Sequence, residues 1–134
     1  MSERVIVRVR EVMRTEVDIV DGMATVADVL RDCSHIDGGC VIVDKRDEND
    51  EYGILLLSDI AKKVLARNRA PERVNVYEIM SKPVVAVEPG MDIRYCARLF
   101  ENFGINRAPV LDEGRVVGTV GYTDIVLHGL REIL

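Results

Sequence analysis

A long apolar run is the first thing this sequence lacks: stretches such as Ile54 to Leu57 fall far short of a bilayer, so a transmembrane protein is excluded. The opening residues Met1 to Arg8 mix charges into a short apolar pattern and contain no hydrophobic segment of signal length, and a cytoplasmic location is expected. Basic charge is not in excess either. Eighteen Lys and Arg against twenty-three Asp and Glu leave a net charge of −5, and without a Lys/Arg cluster nucleic acid is not an expected partner.

Cysteine is scarce. Cys33, Cys40 and Cys96 are odd in number, form no Cys-x-x-Cys pair and sit among apolar neighbours, so they read as small buried hydrophobes in a reducing compartment. Catalytic signatures are missing: there is no Gly-Lys-Ser/Thr phosphate loop, no His-Glu-x-x-His, no Gly-x-Ser-x-Gly and no Gly-x-Gly-x-x-Gly. No catalytic residue is assigned, and an enzyme is not expected. His35 and His128 have no second ligand at metal spacing. Asp47, Asn49 and Glu51 have the rhythm of a calcium loop, but Tyr52 stands where its glycine belongs and Ser58 at its twelfth position, so the stretch Asp44 to Glu51 reads as a solvated hairpin tip. No metal site is expected.

What the sequence does contain is a duplication. At 134 residues and 48% hydrophobic, the chain suffices for one ordinary core or two small ones. Val9-Arg10-Glu11-Val12-Met13 returns as Val76-Tyr77-Glu78-Ile79-Met80, an offset of 67 residues. At the same offset follow the β-branched stretches Val17-Asp18-Ile19-Val20 and Val84-Val85-Ala86-Val87, each ending in a turn, Asp21-Gly22 or Glu88-Pro89-Gly90. An amphipathic helix comes next. It is clearest in the second copy, with Asp92 as N-cap, Ile93, Cys96, Ala97, Phe100 and Phe103 at helical spacing, and Gly104 as the stop. Strands Gly39 to Val43 and Ala108 to Leu111 align at an offset of 69, Val41 with Val110, which predicts a longer helix turn in the second copy. A hairpin leads to Gly53 to Leu57 and Gly118 to Tyr122, and each copy closes with Ser58-Asp59-Ile60 or Thr123-Asp124-Ile125 opening a helix. The polar, proline-containing stretch Arg67 to Arg73 reads as a linker.

In these paired openings, in Gly104-Ile105-Asn106-Arg107-Ala108-Pro109-Val110 and in Gly118 to Ile125 with its counterpart Gly53 to Ile60, the chain resembles the CBS domain family, specifically a stand-alone tandem pair, the Bateman module. The resemblance covers nearly the whole chain. It implies an α+β fold of two pseudo-symmetric β-α-β-β-α repeats, 8–67 and 76–134 with a linker at 68–75, sharing apolar surface as one globular module.

The resemblance also implies a regulatory module that binds an adenosyl ligand, AMP, ADP, ATP, NAD or S-adenosylmethionine, in clefts between the repeats. Such modules tend to form homodimers, and the regulated protein, unidentified, is expected to be a separate chain. In the family the Asp opening the last helix accepts from the ribose hydroxyls, and Asp59 and Asp124 hold that place. Adenine lies against the first strand, here Val17, Asp18 and Ile19 or Val84, Val85 and Ala86; phosphates lie near the last helix and near basic residues before the Pro-Val strand. Arg107, beside Asn106 and Pro109, fits the latter role, whereas Ile36 to Cys40 contains no basic residue, which favours the second-repeat site. Where the family carries a Ser or Thr three residues before the Asp, this chain has Leu56 and Gly121; Ser58 and Thr123 stand next to the Asp instead, and Gly121 would permit close approach of a ligand. The missing hydroxyls favour an alternative in which the pair is a dimerisation scaffold that binds no nucleotide. Independently of any ligand, Asp59 and Asp124 suit helix N-caps.

Overall fold

The computed structural model describes residues 5–82 and 84–134, so the opening four residues and Pro83 lie outside the described residues. In chain order the elements are α1 (Val9–Val12), β1 (Ile19–Val20), α2 (Val26–Asp32), β2 (Cys40–Val43), β3 (Gly53–Leu56), α3 (Leu57–Ile60), α4 (Val76–Ile79), α5 (Ile93–Phe103), β4 (Arg107–Asp112), β5 (Arg115–Gly121), α6 (Tyr122–Asp124) and α7 (Arg131–Ile133). Both α3 and α6 run on into π-helical stretches, Ala61–Leu65 and Ile125–Leu130. No helix among the described residues is long and apolar enough to cross a membrane.

Two compact units result, a central one of Glu16–Val84 and a terminal one that joins Val85–Leu134 to the residues up to Thr15. The units divide the chain at residues 15/16 and 84/85. The opening segment of each repeat packs in the unit that carries the rest of the other repeat, and backbone hydrogen bonding is the reason. In the terminal unit Val9 and Arg10 donate their N–H groups to the carbonyls of Met91 and Pro89, and Ile93 donates to Val7. In the central unit Val76 and Tyr77 donate to Ala24 and Gly22, and Val26 donates to Val74. The two sets are the same pattern shifted by 67 positions. Within residues 68–75, Val74 is buried and Pro71–Arg73 forms a 3-10 turn in the central unit.

Each unit has its own core. Val26, Val29, Val41, Val43, Leu55, Val64, Val74, Val76 and Ile79 fill the central one. In the terminal unit Val9, Val12, Val87, Ile93, Cys96, Phe100, Val110, Val120 and Ile125 do the same. Burial of this kind, roughly 25 cal/mol per Å² of apolar surface, is the main driving force for units this small. The buried Cys96 thiol is pushed up to about 11 by desolvation, in keeping with its place among the apolar residues. Helix α5 follows its sequence pattern, with the Asp92 side chain accepting from the Arg94 N–H at 2.9 Å and Gly104 in the left-handed region at φ 65°. Phe103, however, is exposed, because the buried stripe runs through Ile93, Cys96 and Phe100.

The central sheet has the order β1-β2-β3, β1 parallel and β3 antiparallel to β2; β4 and β5 form an antiparallel hairpin in the terminal unit. Val20 pairs with Val43 and Val87 with Val110, so β2 and β4 correspond at an offset of 67 rather than 69, and Cys40, not Gly38, is the counterpart of Arg107. Of the stretch Val84 to Val87, only Val87 makes a bridge, donating to the Pro109 carbonyl at 3.1 Å and accepting from Leu111 at 2.9 Å. The first strand of that unit is thus shorter than the sequence pattern suggests.

The hairpin joining β2 to β3 is more than a solvated tip. Asp50 is nearly covered, its carboxylate accepting from the Arg46 backbone N–H at 2.8 Å, from the Arg46 Nε at 3.0 Å and from the Lys82 ammonium. The Arg46 guanidinium first, then Lys82 and the Arg46 N–H, hold this carboxyl well below the usual carboxylate range. A carboxyl with a depressed folded pKa contributes stability that is present above its unfolded value, about 4, and is lost as pH falls below it. Thermal melts from pH 7 to pH 2 are therefore expected to show a steeper acid loss in the parent chain than in Asp50→Asn, which is less stable at pH 7. Parallel acid limbs for the two proteins would contradict this.

Candidate functional site

The register of the β4–β5 hairpin decides which side chains meet. Glu113 and Gly114 occupy the turn, both with positive φ, and Asp112 pairs with Arg115. Continued without interruption, that register would set Arg107 opposite Val120. A bulge between Val110 and Leu111, with Val117 the extra residue, shifts it by one, and Arg107 lies opposite Gly121. The lack of a side chain at Gly121 has an immediate use. A Cβ there would come within 2.7 Å of Arg107 Nη2 and 2.8 Å of its Cζ, so the guanidinium occupies the volume a side chain would take.

Asp124 follows in the first turn of α6, with only 6% of its surface exposed. It is not the N-cap. Gly121 occupies that position, and Asp124, three residues on, reaches back to accept the Gly121 N–H at 2.9 Å. Asp59 does the same in the central unit, accepting from Leu56 at 3.0 Å, so the N-cap expectation is corrected for both. Arg107 Nη1 stands 3.9 Å from Asp124 Oδ2, an attractive separation too long for a hydrogen bond. That nitrogen is buried and has no acceptor among the described residues. A cationic N–H donor withdrawn from water without a partner costs on the order of 1–3 kcal/mol, which an anionic acceptor would recover.

Other expected residues are distributed as follows. The Asn106 carbonyl accepts from Tyr122 at 3.4 Å and the Pro109 carbonyl from Val87, so both support the site through the backbone. Thr123 is exposed at the start of α6, and Val85 and Ala86 are half-buried in the same unit. Asp59, Ser58, Val17, Asp18, Ile19 and Val84 belong to the central unit. There Asp59 has Lys63 at 3.6 Å, an i,i+4 partner, and Asp18 is spent on the backbone N–H groups of Ser34 and His35. Ile19 is half exposed on an edge strand, its backbone groups directed away from β2 because Asp18 and Val20 accept from Ile42 and Asp44. The counterpart of the Arg107–Gly121 pair is Cys40–Leu56, a small residue facing a large one, and it brings no charge. Grooves open elsewhere in each unit. One of about 460 Å³ in the central unit is lined by Asp21, Met23, Val43, Tyr77, Met80 and Lys82, and one of about 570 Å³ in the terminal unit by Val5, Ile6, Leu127 and His128 among others.

The description of the CBS domain matches residues 76–130. Over nearly the whole length, the hexameric CBS-CP12 protein from bloom-forming cyanobacteria is 36% identical and superimposes with a TM-score of 0.86, covering 92% of this chain and 72% of that one. The chain belongs to the CBS domain family. CBS domains are regulatory, ligand-binding modules, and the tandem arrangement read from the duplication is theirs. A conserved CBS domain protein of unknown function from Thermoplasma acidophilum has the same fold at 29% identity and a TM-score of 0.79, over 92% of this chain and 70% of that one. An uncharacterized protein of Methanopyrus kandleri is 34% identical over 126 residues, 90% of this chain and 61% of that protein. The chain spans about three-fifths of the length of the first curated relatives it matches.

Proposed function

We propose that this CBS pair is a sensor of an adenosyl ligand, with its principal site in the terminal unit at Asp124. The observation that carries this is the covered Asp124 carboxylate beside a guanidinium whose buried Nη1 has no acceptor among the described residues. One carboxylate oxygen is engaged by the Gly121 N–H. The carboxylate keeps further acceptor capacity, which suits it to the paired hydroxyls of a ribose. Thr123 and Asn106 flank that position, and the Val85–Ala86 backbone supplies the polar edge against which an adenine would pair. AMP, ADP, ATP, NAD and S-adenosylmethionine all carry the adenosyl group this reading requires. In the central unit Asp59, Ser58 and the Val17 to Ile19 segment form the corresponding set, with Asp59 already paired to Lys63.

Signalling follows from differential affinity. A ligand that binds one arrangement of the module, or of its assembly, better than another shifts the population toward it, and only by that difference. A regulated partner protein would read the shift.

The test is a thermal-shift series with the five compounds on the purified chain, since a ligand that binds only the native state raises Tm by mass action. At least one compound is expected to raise Tm, and Asp124→Ala to weaken its binding by about 10- to 100-fold, the usual loss for hydrogen bonds to a charged acceptor. An affinity unchanged by Asp124→Ala would refute the ribose role.

A further inference from the structure

The groove of about 460 Å³ in the central unit opens at the Val43–Gly53 end of β2 and β3, whereas Asp59 follows Leu56, which pairs with Cys40 at their other end. Val43 has Val20 of β1 on one side and Gly53 of β3 on the other. Toward β1, the Gly22 carbonyl accepts the Tyr77 N–H at 2.9 Å, with Asp21 next to it. Toward β3, Met80 lies against Gly53, and the paired hydrogen bonds of Ser81 with Ile54 set Lys82 at the edge of the groove. An apolar floor of Val43, Tyr77 and Met80 thus has an acid on its β1 side and a cation on its β3 side. Asp44 and Arg46, just past the end of β2, add one of each.

We propose that this groove binds a free amino acid with a large apolar side chain: its ammonium at Asp21 and Asp44, its carboxylate at Lys82 and Arg46, its side chain on Val43, Tyr77 and Met80. Apolar walls with a few polar groups are the usual make-up of a small-molecule site of this volume. The charges call for a zwitterion. Asp21 and Asp44 each spend one oxygen on a backbone N–H, of Met23 and Lys45, at 2.8 Å, and neither has a cationic partner among the described residues. Arg46 and Lys82 share one carboxylate, Asp50, so two cations stand against one anion there. A simple amine would leave that positive side unused, and a simple carboxylate would face two unpaired acids. Gly22 keeps the floor open, since a Cβ there would meet Val43 Cγ1 at 3.5 Å and Tyr77 Cβ at 3.6 Å, ordinary contacts on which a larger side chain would rest. The terminal unit does not repeat the site. At the offset of 67, Tyr77, Lys82 and Asp44 correspond to Arg10, Thr15 and Leu111, and the tight turn at Glu113-Gly114 leaves no counterpart of Arg46 or Asp50.

Isothermal titration of the full chain with L-leucine, L-methionine and L-phenylalanine tests this, with alanine and the N-acetyl and amide derivatives of the best binder as probes of each part. At least one of the three is expected to bind, one per chain. Loss of the ammonium or of the carboxylate should weaken binding by about 10-fold, the scale of a charge-assisted hydrogen bond, and alanine should bind more weakly still. Asp21→Asn/Asp44→Asn keeps the acceptor oxygens that hold the two backbone N–H groups and should weaken binding by a similar factor. Gly22→Leu should abolish binding by filling the groove, and Tyr77→Ala, at an exposed position, carries the test should Gly22→Leu not fold. Failure of all three amino acids to bind at millimolar concentration overturns the inference, as does binding that survives both N-acetylation and amidation, or both Gly22→Leu and Tyr77→Ala. Neither result touches the ribose reading of Asp124, which the nucleotide series decides separately.

Discussion

Phe100→Ala is expected to lower the unfolding free energy by about 3–5 kcal/mol, the cost of truncating a buried aromatic whose site collapses only partly. Phe100 is completely buried in α5 and packs edge-on against Tyr122, with ring centroids 5.4 Å apart and planes at 80°. Its loss removes apolar burial, leaves a cavity beside β4 and β5, and withdraws the contact that supports the first residue of α6. Because Tyr122 lies between Gly121 and Asp124 in the first turn of α6, the damage reaches the candidate site as well as the core. Denaturant titration checks the magnitude. A change below about 1 kcal/mol would mean that the neighbours close over the gap, contrary to the packing described.

A second large effect is expected at Gly118. A Cβ there would run into the Arg14 carbonyl oxygen and press on Met13. The neighbouring pair, Arg14 N–H to Thr119 O at 2.8 Å and Thr119 N–H to Arg14 O at 2.9 Å, joins the opening segment to β5 and depends on that close approach. Gly118→Ala should cost about 3 kcal/mol, in the upper range for point substitutions, and should speed amide exchange at Arg14 and Thr119. Gly90→Ala is the control, since its Cβ would meet only Arg10 Nη1 at 3.8 Å. Equal costs for the two would contradict the steric account. Gly53 shows the same constraint in the central unit, where Met80 Sδ lies 2.9 Å and the Ser81 carbonyl 3.2 Å from the Cβ position.

These glycines show what the sequence made legible and what it did not. The strands around Val41, Leu55, Val110 and Val120 and the helix from Ile93 to Phe103 were readable because periodicity and caps are local signals. The family was readable because the pattern occurs twice in order. The exchange of opening segments was not, because a duplicated motif fits either copy equally well, and only the hydrogen bonds of Val9 and Val76 choose between them. Nor was the Arg107–Gly121 pairing, since counting back from the turn at Glu113-Gly114 puts Arg107 opposite Val120 and the bulge at Val117 carries no residue signature. At Asp50 the pattern of acids suggested solvation, while its partner Lys82 lies 32 positions away. The Asp59–Lys63 pair was within reach, as its spacing of four is a helix-surface signal.

The exchange also sets an order of assembly during synthesis. Every residue of the central unit, including the opening segment around Val76 that completes its core, has been made before Val85 is added. The terminal unit is different. Its residues around Val7, Val9 and Val12 precede the whole central unit, yet Pro89, Met91 and Thr119, which receive the opening segment, come about 80 or more positions later. During synthesis from the N-terminus, residues 85–134 close upon an opening segment made well before them, and the central unit has its whole sequence available to fold in the interval.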